Sequence, residues 1–139
     1  MKFLNETQLL SSSGDCTCLL WDITKTKPTA LFLDHTQDVM CLSIWQENQT
    51  FISASCDKTT KLWDIRMGEK CVGNFEGHGT DVNTCDWFPD GNAFITGGDD
   101  SCVRLFDIRY VFFVFFFFGR KEFAQKFQYT LCILCSYVI

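Results

Sequence analysis

Through residues 1–109 the chain alternates apolar and polar positions in short runs, the pattern of strands with one buried face. Val39-Met-Cys-Leu-Ser-Ile-Trp45, Thr50-Phe-Ile-Ser-Ala-Ser55, Thr60-Lys-Leu-Trp-Asp-Ile65 and Lys70-Cys-Val-Gly-Asn-Phe75 are predicted as consecutive β-strands. The segments between them, Gln46–Gln49, Cys56–Thr59 and Arg66–Glu69, have hairpin length, which favours antiparallel neighbours. Pro89-Asp-Gly-Asn92 has the residues of a Pro-Asp-Gly turn, and Gly68 and Gly91 fall where turns call for positive φ. Helical periodicity is nearly absent.

The pattern repeats. Ser11-Ser-Ser-Gly-Asp15-Cys-Thr-Cys-Leu-Leu-Trp21-Asp22 aligns without gaps on Ser53-Ala-Ser-Cys-Asp57-Lys-Thr-Thr-Lys-Leu-Trp63-Asp64 and on Thr96-Gly-Gly-Asp-Asp100-Ser-Cys-Val-Arg-Leu-Phe106-Asp107. Trp21 and Trp63 are 42 residues apart, and Trp63 and Phe106 are 43 apart. A second marker keeps the same period: Asp34-His35-Thr-Gln-Asp38-Val39 returns as Gly77-His78-Gly-Thr-Asp81-Val82. Four short antiparallel strands every ~40–45 residues are the signature of a propeller blade. The expected fold is therefore all-β: a partial, unclosed β-propeller of about two and a half four-stranded antiparallel blades. The units run over about 1–33, 34–75 and 76–109.

A His, then an Asp six residues before a Trp-Asp or Phe-Asp pair, resembles the WD-repeat family. Within it the chain is similar to the β subunit of heterotrimeric G proteins. The residues that carry the likeness are Ser12-Ser-Gly-Asp15 with Leu20-Trp-Asp-Ile23, His35 with Asp38-Val-Met40, and Ser55-Cys-Asp57 with Lys61-Leu-Trp-Asp64. Phe88-Pro-Asp-Gly-Asn-Ala-Phe94, followed by Asp99-Asp100 and Arg104-Leu-Phe-Asp-Ile108, is the most specific stretch. The resemblance covers residues 1–109 and implies a propeller of about seven blades, of which these units would be a fragment.

His35, Ser53 and Asp57 invite a hydrolase reading, with nucleophile, base and orienting acid all present. Their recurrence as His78, Thr96 and Asp100 speaks against it, since catalysis needs one such set, and no Gly-x-Ser-x-Gly elbow surrounds the serine. The resemblance implies instead a buried hydrogen-bond chain through Trp63, Ser53, His35 and Asp57, and a chain one member shorter through Thr96, His78 and Asp100, because Phe106 has no N–H. The first unit offers Trp21, Ser11 and Asp15 without a histidine. It further implies a binding face at Asp38, Met40, Asp81, Asn83 and Asp99, acidic groups able to pair with Lys or Arg beside an adaptable thioether. The bland alternative is that Asp38 and Asp81 merely cap turns. Asp22, Asp64 and Asp107 end their strands and are expected to be structural.

Composition narrows the class. Of 139 residues, 47% are apolar and 21% charged, and the formal charge is −5, so a non-specific nucleic-acid binder is excluded by the lack of a basic surface. Nine cysteines fall mostly within apolar alternation and are read as reduced core thiols. Cys132-Ile-Leu-Cys135 has no second pair to complete a zinc knuckle, so neither metal nor cofactor is expected. Met1-Lys-Phe-Leu-Asn-Glu turns polar too early for a signal peptide.

Residues 110–139 differ in kind. They hold more than half of the 15 phenylalanines, with Arg120, Lys121 and Lys126 against Glu122, and are expected to be a non-homologous apolar tail. Its Phe-rich run is read as the product of read-through or aberrant splicing, able locally to supply the third blade's outer strand. No apolar run approaches the ~20 residues of a membrane span. The functional expectation is a non-enzymatic signalling scaffold, cytoplasmic or held at the inner face of the plasma membrane by partners. Those partners, by resemblance, are G-protein α and γ subunits and effectors. The alternatives are a WD-repeat scaffold of another pathway and a truncated product without function.

Overall fold

The computed structural model describes residues 1–109 and the backbone of 113–117; the other expectations for the 110–139 tail, including Cys132 and Cys135, lie outside the described residues. Twelve strands form three four-stranded antiparallel sheets. The first contains β1 (Lys2–Phe3), β2 (Gln8–Ser12), β3 (Thr17–Asp22) and β4 (Pro28–Leu33). The second contains β5 (Val39–Trp45), β6 (Thr50–Ser55), β7 (Thr60–Asp64) and β8 (Gly73–Phe75). The third contains β9 (Val82–Trp87), β10 (Ala93–Gly98), β11 (Cys102–Asp107) and β12 (Phe113–Phe117). The described residues contain no helix, and the sheets do not close into a ring, so the all-β, unclosed propeller expectation holds.

Each sheet is a meander whose strands pair antiparallel in sequence order. β5 and β6 pair from Val39↔Ser55 to Trp45↔Thr50, with a bulge between Val39 and Cys41 that re-aims the start of the strand. The run after Arg109, expected to be able to serve as an outer strand, pairs there: Cys102↔Phe117 through Phe106↔Phe113. The third unit thereby has four strands, and the first has four because two N-terminal residues pair Lys2↔Leu10 and Phe3↔Leu9.

Two apolar cores lie between the sheets. Leu10, Leu20, Phe32, Val39, Leu42, Phe51 and Trp63 fill the seam between the first and second, and Ile52, Ala54, Val82, Cys85, Phe94 and Phe106 fill the seam between the second and third. The central strand β6 therefore buries both faces, Phe51 toward one core and its neighbour Ile52 toward the other. A three-ring cluster recurs at these seams. Phe32 meets Phe51 edge-on at 4.9 Å while Phe51 stacks on Trp63 at 5.7 Å. Phe75 meets Phe94 edge-on at 4.9 Å while Phe94 stacks on Phe106 at 5.1 Å. In both, the outer strand of one sheet sends a phenylalanine into the next, which is how successive units become one body.

The turns behave as their residues require. Gly68 and Gly91 have φ of 90° and 66°. At Gly91 any Cβ would collide with the Trp45 indole, so glycine is needed there for space as well as for conformation.

Candidate protein-interaction face

The polar framework that positions the face begins in the second sheet. The Trp63 indole N–H donates to Ser53 Oγ at 2.8 Å, the Ser53 hydroxyl donates to His35 Nε2 at 2.7 Å, and His35 Nδ1–H donates to Asp57 Oδ2 at 2.7 Å. Trp63 and Ser53 are fully buried, and each donor faces one acceptor, so no polar group is left unpaired along the chain. Asp57 also accepts the backbone N–H of Thr36 and both N–H and hydroxyl of Thr59, which pins the loop before β5 to the turn after β6. Burial by itself would raise the Asp57 pKa; the bonds from His35, Thr59 and Thr36 outweigh it and hold the carboxyl well below the usual range.

A fully buried hydroxyl held by an indole N–H is a link and not a nucleophile. The third sheet repeats the arrangement with one exchange. His78 Nε2 lies 2.8 Å from Thr96 Oγ1, and Phe106 contributes no N–H. Arg104 joins the set at its other end: its Nη1 donates to Asp100 Oδ2 at 2.8 Å and lies 2.6 Å from His78 Nδ1. His78 Nδ1 also lies 3.1 Å from both Asp100 carboxylate oxygens, so the imidazole keeps the contact that His35 makes with Asp57 and shares the carboxylate with the guanidinium. Burial, with the Arg104 charge beside it, pushes the His78 pKa below its ordinary value despite the Asp100 carboxylate. In the first sheet Trp21 Nε1 donates to Ser11 Oγ at 2.8 Å, while Asp15 caps its own turn by accepting from Thr17.

These links fix the loops that carry the acidic residues. Asp38 and Asp81 stand just before β5 and β9, and their carbonyls accept the N–H of Cys56 and of Asp99, each at 3.0 Å. The N–H of Val39 donates to Ser13 O at 3.0 Å, and a Cβ at Gly14 would lie 3.3 Å from Asp38 Oδ2, so Asp38 bridges the first and second sheets. Desolvation and the carboxylates of Asp81, Asp38 and Asp99 push the Cys56 thiol up to about 11. Asn83 donates to Asp99 Oδ1. Asp38, Asp81, Asn83 and Asp99 thus gather at one end of neighbouring sheets, around Cys56. Met40 follows on β5 and is 52% exposed.

The acids that end β3, β7 and β11 behave differently. Asp22 accepts from Thr24 and pairs with Lys25 at 3.1 Å, and Asp64 and Asp107 each hold an arginine two residues on, Arg66 and Arg109, at 2.6 Å. Sequence reasoning missed Arg104 as a member of the third hydrogen-bond set. The available signal was a basic residue two positions before Phe106, matching Lys61 two positions before Trp63, which instead reaches Asn74 Oδ1 at 3.1 Å. Among the described residues no group of three or more metal-ligating side chains comes together, and no helix is long and apolar enough to cross a membrane.

The family model described as WD domain, G-beta repeat matches residues 1–22, 26–64 and 69–107. Over 110 residues the chain is 50% identical to a guanine nucleotide-binding protein subunit beta of Solanum tuberosum. The corresponding figures are 47% for that of Oryza sativa subsp. japonica and 48% for that of Arabidopsis thaliana. Each alignment covers 75% of this chain, and the chain spans 29% of the length of each of these relatives.

Proposed function

The chain belongs to the WD domain, G-beta repeat family of non-enzymatic scaffolds, and from that premise we propose that it binds a G-protein α subunit or an effector through the face formed by Asp38, Met40, Asp81, Asn83 and Asp99. The observation that carries the reading is the backbone and side-chain bonding that holds Asp38 of the second unit against Cys56, and Asp81, Asn83 and Asp99 of the third unit against one another, with Met40 exposed two residues from Asp38. Repeated hydrogen bonds hold these groups, so the face is presented with little ordering cost on binding. Carboxylates of one sign select a partner surface bearing Lys or Arg, and the flexible Met40 thioether accommodates more than one partner shape. The relatives named as G-protein β subunits support α and γ subunits and effectors as the class of partner. Through such partners the chain would act in the cytoplasm or at the inner face of the plasma membrane.

The test is co-purification of the full chain with a γ subunit and GDP-bound α, followed by titration of α against the parent and an Asp38→Lys/Asp81→Lys variant. Reversing two charges should weaken binding by about tenfold or more while the far-ultraviolet dichroism stays that of the parent. Recovery of no soluble complex with α or effector, or undiminished binding by the variant, overturns the assignment.

A further inference from the structure

Cys41 of β5 and Cys85 of β9 meet across the seam between the second and third sheets. Cys41 Sγ lies 3.8 Å from the Cys85 carbonyl oxygen, and Cys85 Sγ lies 3.9 Å from the carbonyl oxygen of Ile52 on β6. Both are free thiols; Cys85 is buried in the apolar core of that seam and Cys41 is half-buried at its margin. The strands beside them are clamped. Ser43 Oγ donates to Asp86 Oδ1 at 2.7 Å, and the Trp87 indole N–H donates to Ser43 O at 3.2 Å. Two residues from the thiols, then, the two sheets are tied by polar bonds, which keeps the sulfurs from drifting apart. A disulfide requires Cα atoms about 4.4–6.8 Å apart, and a sulfur already against its partner's carbonyl is compatible with that reach.

We propose that Cys41 and Cys85 are a redox modification site, forming a reversible intramolecular disulfide that ties the second sheet to the third when the chain meets a hydroperoxide. Cys41 is the half-buried member of the pair, and its interaction with Cys85 holds its thiol below the ordinary value, so Cys41 is the nucleophile. Burial pushes Cys18 up to about 12 and also raises Cys71, and desolvation with nearby carboxylates raises Cys56, so these thiols are poorer competitors. The Cys41 thiolate attacks one peroxide oxygen, breaking the O–O bond; a sulfenic acid forms, and the second oxygen leaves, taking up protons to become water. The Cys85 sulfur then attacks the Cys41 sulfur. The S–S bond forms, the S–O bond breaks, and the sulfenic oxygen departs as water with the Cys85 proton. Overall two thiols are oxidised by two electrons and one hydroperoxide is reduced. The bridge joins positions far apart in sequence and near in space, and so constrains the unfolded chain.

The experiment treats the full chain with hydrogen peroxide, alkylates the remaining thiols and maps peptides without reduction. A linked pair of peptides carrying Cys41 and Cys85 is expected in the monomer, reversed by dithiothreitol, with the melting temperature raised by several degrees in the oxidised form. In Cys85→Ser the link should vanish and dimedone should trap a sulfenic acid at Cys41. The map of the unmutated chain decides the matter even where that variant fails to fold. Cys41 and Cys85 both remaining alkylatable after other cysteines have been oxidised, or a link that forms only in urea, overturns the proposal.

Discussion

At the scale of single residues, the buried hydroxyls carry the clearest consequences. Ser53 accepts from the Trp63 indole and donates to His35, so Ser53→Ala strands two buried polar groups at once. Each uncompensated group costs on the order of 1–3 kcal/mol. Thr96 lacks an indole partner because residue 106 is Phe, so Thr96→Ala strands fewer groups. Urea titrations of the two variants should therefore show a larger drop in midpoint for Ser53→Ala than for Thr96→Ala. The same residues set the response to acid. The His78 pKa is depressed in the fold relative to 6.5, so the unfolded chain binds the extra proton more readily. Its contribution is complete above 6.5 and is lost as pH falls toward the folded value. Asp57 follows the same sign lower down: its contribution is complete above the ordinary carboxyl value of 3.8 and is lost below it. Denaturation midpoints followed from pH 7.5 to 5 should fall in the parent, and the fall should be smaller in His78→Gln.

At the scale of elements, the seams between sheets matter more than the sheets. Hairpin ladders are local and each unit makes its own, whereas union of the units depends on a few side chains that cross. Ser43 of β5 is one, bonded to Asp86 of β9. Ser43→Ala removes a hydrogen bond to a charged group between sheets while leaving both ladders intact, and should cost about 1.5–3 kcal/mol in equilibrium urea unfolding. No loss, or an equal loss in a variant lacking Asp86 already, would show that the seam is held by the apolar core alone. The bulge between Val39 and Cys41 belongs to this scale too, because it re-aims the strand just where Met40 leaves the core.

At the scale of the molecule, three sheets stand side by side and present their acidic turns at one end. The Debye length is about 10 Å at 0.1 M salt and about 3 Å at 1 M, so binding that depends on this face should weaken steeply with salt. Titrations of GDP-bound α at rising sodium chloride should show the slope, and Asp38→Lys/Asp81→Lys should flatten it. An affinity independent of salt would place the contact elsewhere, on apolar surface.

The period of 42 to 43 residues, the first two strands of the second unit and the membership of the set Trp63, Ser53, His35 and Asp57 were legible from the chain, because each follows from spacing that repeats, whereas the fourth strand, expected over 70–75, is confined to Gly73–Phe75. Local alternation sets which residues point inward, and a repeated marker sets which of them share a level. Two things were not legible. Arg104 reaches His78 and Asp100 because β11 aims its side chain inward, whereas Lys61 at the matching position of β7 reaches Asn74. Cys41 and Cys85 meet because two sheets pack face to face, and sequence alternation says which face is buried but not which neighbouring sheet buries it. Contacts within a unit are encoded by near neighbours along the chain, whereas contacts between units depend on how whole surfaces fit, and that is decided only when the chain is folded.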